Sequence, residues 1–173
     1  LYVGQGCNGN HKLLTYLVDN FNIPVTTTIH AMGIYDENNK LSLEMLGMHG
    51  NAAANIAIQE ADLIICIGAR FDDRTTGNVE LYAPEAKKAS INKIGGIIHN
   101  NIEFSEINKT VKVDFPIIGD SKLFLSKINN LLIKKNRKDW LNRIFSLKKK
   151  YNFRYNELKN GDIKTQTEIG RAH

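Results

Sequence analysis

Clusters of glycine, hydroxyl-bearing and charged residues stand where apolar runs of this sequence end, and each could bind a ligand. The most charged cluster is GARFDDR, residues 68–74, which directly follows the apolar run Leu63–Ile67. Arginine can bind a phosphate with two hydrogen bonds, and aspartate can accept a hydrogen bond from a ribose hydroxyl. The alternative is a surface turn in which these arginines and aspartates pair with each other.

Three other clusters suit an anionic or flat ligand less specifically. A glycine turn, GQG at residues 4–6, would let backbone approach a phosphate closely. Thr28 ends a run of three threonines, for which plain β propensity is the alternative interpretation. His49 stands between Gly47 and Gly50, just before an alanine-rich helix whose free amides attract anions. A structural histidine is the equally weighted alternative there.

Taken together, these clusters predict a site of dinucleotide size with no evident nucleophile or acid–base pair. GQGCNGN does not match the G-x-G-x-x-G pattern, because its third glycine comes one position early. The acid at Asp19 falls inside a predicted helix, which disfavours a standard NAD site. No second histidine or carboxylate lies at metal-ligand spacing from His49, so we predict no metal site.

Alternating strands and helices must position these clusters. The predicted strands are LYV, IPVTTTI, DLIICIGA, GGIIHNNI and a fifth within TVKVDFPIIGD, and the predicted helices are HKLLTYLVDNF, NAAANIAIQEA and DSKLFLSKINNLLIKK. The stretch HAMGIYDENNKLSLEMLGMHG shows no sustained periodicity and is predicted to be a long loop. Continuous apolar strands alternating with helices predict an α/β fold, a doubly wound, Rossmann-like parallel sheet. Such sheets bind ligands beyond the carboxyl ends of their strands.

Composition and charge narrow the class of protein. Of the 173 residues, 1–133 hold 11 Lys and Arg against 14 Asp and Glu, a net −3, whereas 134–173 hold 12 against 4, a net +8. The basic part could mark nucleic-acid or membrane binding, but its apolar residues recur at helical spacing, so we favour a solvated linker helix. We expect neither a membrane span nor a nucleic-acid partner. Cys7 and Cys66 are expected to be core thiols without a disulfide, in a reducing compartment.

The ends of the sequence suggest a piece of a longer polypeptide. It starts inside an apparent strand without Met, and it stops at TQTEIGRAH without a terminating pattern. We predict a ligand-binding domain over 1–133, a basic helical linker over 134–160, and the start of a further domain over 161–173.

The stretch MLGMHGNAAANIAIQEADLIICIGARFDDRTTGN resembles the catalytic subunits of the acetohydroxyacid synthase (acetolactate synthase) family of thiamine-diphosphate enzymes. The resemblance covers nearly the whole chain, because five motifs occur in the family's order. They are LYVGQG, NIPVTTT, LSLEMLGMHG, GARFDDR and GGIIHNNI. GMHG and GARFDDR at this separation are highly specific. APEAKKASINKIGGIIH is similar to the longer version found in fungal members.

The resemblance implies an enzyme that condenses pyruvate with pyruvate or 2-ketobutyrate, at the start of valine, leucine and isoleucine biosynthesis. It implies three α/β domains per subunit, of which this chain is similar to the central, FAD-binding one. Because the reaction has no net redox change, FAD would be mainly architectural. Thiamine diphosphate and Mg²⁺ would bind outside this chain, which alone would be inactive and hold no catalytic residue. Homodimers or homotetramers, a regulatory small subunit, and a mitochondrial location if fungal-like (otherwise cytoplasmic or plastid) are implied as well.

The resemblance also implies which residues contact FAD. They are Gly4, Gly6, Thr28, Ile29, Leu46, Met48, His49, Gly50, Gly68, Ala69, Arg70, Asp72, Arg74, Asn101, Ile102 and Asp120. Met48, Asp73 and Arg74 would line the channel to the active site. The family usually has an acid at Asn101, and an amide is a weaker acceptor for a ribose hydroxyl. Gln5 replaces a small residue and would narrow the approach to the first turn.

Two other functions remain open from the sequence. Pyruvate oxidases and glyoxylate carboligases share this type of central domain, although GMHG with GARFDDR fits them less well. A stand-alone module that binds ADP or NAD is the alternative from another functional class.

Overall fold

A single six-stranded sheet, in which every pair of neighbouring strands is parallel, forms the centre of the protein. The computed structural model describes residues 1–151. The strands are Tyr2–Val3 (β1), Val25–Thr27 (β2), Ser42–Met45 (β3), Leu63–Ile67 (β4), Gly96–Asn101 (β5) and Phe115–Ile118 (β6). Their order is β3-β2-β1-β4-β5-β6, so the direction of winding reverses between β1 and β4. The predicted doubly wound α/β fold is confirmed.

Helices cover both faces of this sheet. They are His11–Phe21 (α1), Ala52–Glu60 (α2), Asp73–Thr76 (α3), Pro84–Ile91 (α4), Ser121–Leu131 (α5) and Lys138–Lys150 (α6). Alternate residues of β4 enter two different cores: Ile64 packs with α2, α4 and α6, whereas Ile65 packs with α1 and α5. This two-sided burial explains why β4 is apolar at nearly every position.

The predicted long loop was wrong in part, because it contains the edge strand β3. Ser42 and Leu43 are buried beside β2, with a register shift between Val25 and Thr27. Glu44 lies inside β3 with a φ of 62°, which is unusual for a residue other than glycine. The strand has only four residues, and the alternation around it is not sustained through the rest of the stretch. Helix α4 also had no counterpart among the predicted helices.

The predicted basic helix is present as α6 and packs against α2. Ile144 and Leu147 are buried in the same core as the α2 alanines, and Arg143 forms an ion pair with Glu60 at 2.5 Å. Lys148 donates to the Asn39 carbonyl oxygen at 3.0 Å. The remainder of the predicted linker and the predicted start of a further domain, residues 152–173, lie outside the described residues. None of the helices within residues 1–151 is long and apolar enough to cross a membrane.

Candidate functional site

A cleft of about 950 Å³ runs along the carboxyl edge of the sheet. Segments that follow all six strands contribute to it, and the reversal of winding between β1 and β4 lies within it. Of the cofactor-binding residues predicted from the sequence, all except Gly4 and Gly50 line this cleft. A cleft of this size at a reversal of winding is the usual ligand site of a doubly wound sheet.

Gly4 and Gly50 serve close backbone packing instead. A Cβ on Gly4 would overlap the Gly68 carbonyl oxygen and the backbone of Ala69, and a Cβ on Gly50 would overlap the Met45 carbonyl oxygen. The first turn continues as a short 3₁₀ helix, Gln5–Cys7. Gly6 and the exposed Gln5 both line the cleft. The glycines at 4 and 50 therefore shape the walls without forming part of the cleft surface.

The segment after β4 enters the cleft through Gly68, whose φ of 60° lies in the left-handed region. Asp72 caps α3 by accepting from the Thr75 amide at 3.0 Å, and Asp73 accepts from the Arg74 amide at 3.0 Å. Among the described residues, Arg70 and Arg74 form neither an ion pair nor a side-chain hydrogen bond. The alternative of an internal salt-bridge cluster in GARFDDR is therefore wrong, because its aspartates bind backbone amides and leave the guanidinium groups uncommitted.

Buried donors hold the carbonyl groups of the same segment. Tyr2 Oη donates to the Arg70 carbonyl oxygen at 2.9 Å, and His99 Nε2 lies 2.8 Å from the Ala69 carbonyl oxygen. Burial lowers the pKa of His99, while the bond to Ala69 opposes that shift. Burial raises the pKa of Tyr2, so its hydroxyl stays a donor at any ordinary pH. The segment is thus fixed by Tyr2 of β1 and His99 of β5.

The segment between β3 and α2 is held by two asparagines. Asn51 caps α2 by accepting from the Ala53 amide at 2.8 Å. The Asn55 side chain accepts from the Gly47 amide and donates to the Gly47 carbonyl oxygen, each at 2.9 Å. Gly47 has a φ of 107°, and its Cβ would lie 2.8 Å from the Arg74 carbonyl oxygen. His49, in the same segment, is exposed and lines the cleft.

A single hydrogen bond joins these two segments. The Met48 amide donates to the Arg74 carbonyl oxygen at 2.8 Å, and both side chains are exposed. A second cavity of about 310 Å³ lies beside this junction, and Met48, Asp73 and Arg74 all line it. The three residues predicted to line a channel are therefore brought together, whereas Asp73 does not line the larger cleft. Tyr82 also lines the smaller cavity, and its buried hydroxyl has no partner within residues 1–151.

The cleft also contains residues that the sequence interpretation did not name individually as ligand contacts. They are His30, Met45, Thr75, Asn100, Glu103, Glu106, Gly119 and Ser121. Most lie next to a predicted site residue in the sequence. Their position beside a strand end is therefore the signal that could have identified them. Ser121 follows Asp120, the N-cap of α5, and donates to the Gly6 carbonyl oxygen at 2.5 Å. This bond ties the segment after β6 to the segment after β1.

The two cysteines do not contribute chemistry to the cleft. Cys7 and Cys66 are buried free thiols. Burial raises the pKa of Cys7 to about 12 and that of Cys66 well above its ordinary value, so both stay protonated. Within residues 1–151, no three His, Cys, Asp or Glu side chains are grouped so that they could hold a metal ion.

Comparisons with known proteins agree with this fold. A family model described as thiamine pyrophosphate enzyme, central domain, matches residues 1–128. The mitochondrial acetolactate synthase catalytic subunit of Saccharomyces cerevisiae is 46% identical over 175 residues, which cover 98% of this chain and 25% of the relative. The mitochondrial acetolactate synthase of Schizosaccharomyces pombe is 41% identical, with 98% and 26% covered.

A more distant organism provides a third relative. The probable acetolactate synthase large subunit of Methanocaldococcus jannaschii is 43% identical over 145 residues, which cover 82% of this chain and 23% of the relative. The chain thus spans about a quarter of the length of the curated relatives it matches. Because the family match extends over most of the sequence and the sheet is of the expected type, the chain belongs to the thiamine pyrophosphate enzyme central-domain family.

Proposed function

We propose that this chain is the FAD-binding central part of an acetolactate synthase catalytic subunit. The observation that carries the proposal is the composition of the 950 Å³ cleft, which is lined by most residues of the segments 45–49, 68–74 and 100–102. Relatives named acetolactate synthase are 41–46% identical over 98% of the chain, which supports the same activity. The whole enzyme would join pyruvate to pyruvate or 2-ketobutyrate with loss of carbon dioxide.

The groups along the cleft fit a dinucleotide. Arg70 and Arg74 have guanidinium groups without a partner in residues 1–151, and these suit an anionic diphosphate. Leu46, Ile29 and Ile102 provide apolar surface for flat rings. Asp120 and Glu106 supply carboxylates that can accept from hydroxyl groups. FAD, when bound, supplies shape and charge to the fold rather than electrons, because the proposed reaction has no net redox change.

The other parts of the proposal concern the whole enzyme. Thiamine diphosphate and Mg²⁺ would bind in regions outside this chain, and the cavity lined by Met48, Asp73 and Arg74 would form part of the channel to the active site. The relative from S. cerevisiae is named a catalytic subunit, which supports a separate regulatory subunit and a multimeric enzyme. A homodimer or homotetramer of the full-length subunit is part of the proposal. Fungal relatives are named mitochondrial, so the same compartment is proposed here for a fungal-like source.

Titration of the intact protein with FAD, followed by flavin fluorescence, tests the cofactor. The wild-type protein should bind FAD, and Arg70→Ala should weaken binding about tenfold or more because a charge-assisted contact is lost. Arg143→Ala is the matched control, since that arginine pairs with Glu60 on α6 and α2 and does not line the cleft. Binding of ADP or NAD without FAD would instead support a stand-alone nucleotide-binding module.

Product analysis of the intact enzyme tests the reaction. Incubation with pyruvate, thiamine diphosphate and Mg²⁺ should give acetolactate, and added 2-ketobutyrate should give acetohydroxybutyrate. Oxidation of pyruvate by an electron acceptor, or condensation of glyoxylate alone, would assign the chain to another enzyme with the same type of central domain. Acetolactate formation by residues 1–173 alone would contradict the assignment of this chain as a cofactor-binding part.

A further inference from the structure

The Ala69 carbonyl oxygen accepts from side chains of two residues on the same face of β5. His99 Nε2 lies 2.8 Å from it and Asn101 Nδ2 donates to it at 3.1 Å. The Cys66 thiol on β4 is a third donor, at 3.7 Å. All four residues are buried. A carbonyl oxygen only accepts, so His99 must carry its proton on Nε2. Its Nδ1 is then an acceptor, and this atom has no partner within residues 1–151.

Neighbouring carbonyl groups of the same segment are held in the same manner. Gly68 accepts from the Gly6 amide at 2.9 Å, and Arg70 accepts from Tyr2 at 2.9 Å. The amides of Ala69 and Arg70, by contrast, donate to no acceptor within the described part of the chain. Carbonyl groups engaged by the protein and amides left available form the backbone pattern that binds anions. The Gly68 amide donates to the Asn100 carbonyl oxygen, so Ala69 and Arg70, which both line the cleft, are the residues of this segment whose amides are left for a ligand.

Both polar atoms of the Asn101 side chain already form hydrogen bonds within the protein. Its Nδ2 donates to Ala69, and its Oδ1 accepts from the Glu103 amide at 3.0 Å. The residue is only 8% exposed. Its two partners fix the orientation of the amide, because reversal would set oxygen against oxygen and NH₂ against NH. An aspartate here would lose the donor to Ala69 and place a carboxylate beside a carbonyl oxygen.

We propose that His99 and Asn101 are positioning residues that hold the Ala69 carbonyl inward and thereby keep the Ala69 and Arg70 amides available to an anionic ligand group. The inference rests on the proposed binding of FAD. Asn101 thus keeps its place in the cleft wall, but its amide acts on the protein backbone and not as an acceptor for a ribose hydroxyl. The first role requires an amide at 101, because a carboxylate cannot donate to Ala69. The role of a ribose acceptor would instead gain from a carboxylate.

FAD titration of the intact protein distinguishes these roles. Asn101→Asp should bind FAD about tenfold more weakly than the wild type, and Asn101→Ala should also bind more weakly. Tighter binding by Asn101→Asp would overturn the proposal, because a ribose acceptor is improved by a full charge. Asn92→Asp, at the end of α4 and outside the cleft, controls for the change in net charge.

His99 provides an independent pair of variants. Glutamine has its Nε2 as many bonds from Cβ as histidine does, so His99→Gln should keep most of the FAD affinity, whereas His99→Leu should lose it. Equal affinity in the glutamine and leucine variants would count against a positioning role. Circular dichroism identifies a variant that has failed to fold, and the Asn101 variants then carry the test.

Hydrogen exchange of the intact protein without FAD separates this inference from the proposed function. Exchange of the Gly6 and Gly68 amides should be faster in Asn101→Ala than in the wild type, because the segment they hold is released. Unchanged exchange at both amides would overturn the proposal even if FAD affinity falls. If the wild type binds no FAD at all, the proposed function fails, and exchange alone decides the positioning role.

Discussion

The two segments that meet at the Met48–Arg74 hydrogen bond are held in contrasting ways. The segment after β4 is fixed by residues far away in sequence, with Tyr2 on one side and His99 on the other. The segment before α2 is fixed by Asn51 and Asn55, which lie within ten residues of it. One wall of the cleft therefore depends on the whole sheet, whereas the other depends on a single helix start.

Close packing at the first turn should give the largest effect on the sheet-dependent wall. Gly4→Ala would force β1 away from the Gly68 carbonyl and should lower the free energy of unfolding by about 3 kcal/mol. Gly9→Ala has open space but a φ of 84°, so about 1 kcal/mol is expected there. Urea unfolding measures both. A smaller loss of unfolding free energy in Gly4→Ala than in Gly9→Ala would contradict this prediction, because it would mean that the backbone around Gly68 can move to accommodate a Cβ.

The helix-dependent wall should be weakened by removal of the Asn55 side chain. Asn55→Ala leaves the Gly47 amide and carbonyl without their partners and should cost about 2 kcal/mol. Exchange of the Met48 amide should rise more than exchange of the Gly6 amide, because the sheet-dependent wall stays intact. Asn92→Ala, an exposed asparagine bonded to its own helix, is the control and should be nearly neutral. Equal exchange at Met48 and Gly6 would mean that the two walls are not separable.

A pair of buried tyrosines sharpens the comparison further. Tyr2→Phe removes the donor to the Arg70 carbonyl and should destabilise the protein by about 1.5 kcal/mol. Tyr82→Phe removes a hydroxyl that has no partner in residues 1–151 and should be neutral or stabilising. Thermal unfolding of both variants checks this difference. A loss of stability in Tyr82→Phe equal to that in Tyr2→Phe would indicate a partner for Tyr82.

Low pH should destabilise the sheet-dependent wall through His99, and this is the smallest of the expected effects. Burial lowers the pKa of this histidine in the folded protein, so the unfolded chain, with an ordinary pKa near 6.5, takes up its proton first. The stability that His99 contributes is complete above about pH 6.5 and is lost as pH falls through the folded-state pKa. Unfolding at pH 7.5 and 5.5 should show a loss below about 1 kcal/mol that is absent in His99→Gln.

The local contacts could be predicted from the sequence, and the distant ones could not. The cap at Asn51 and the glycines flanking His49 lie within a few residues of the structure they control. The roles of Tyr2 and His99 depend on which strands become neighbours, and single residues in apolar strands give no sign of that. Strand β3 was missed because it has only four residues and lies within a long stretch without sustained periodicity. The alternative of ion pairs within GARFDDR could not be excluded from the sequence, and it fails because Asp72 and Asp73 accept from nearby backbone amides.

The pairing of β1 with β4 has a consequence for how the protein would respond to a ligand in the cleft. These strands join two halves of the sheet whose paired residues lie more than 60 positions apart, as in the pairing of Tyr2 with Cys66. The cleft draws Thr28 and Met48 from one half and Arg70 and Asn101 from the other. A ligand bound in the cleft would therefore contact both halves of the sheet at once. By mass action, saturation at 100 times the dissociation constant adds about 2.7 kcal/mol to the joined state, so the halves should melt together at a temperature that rises with ligand concentration.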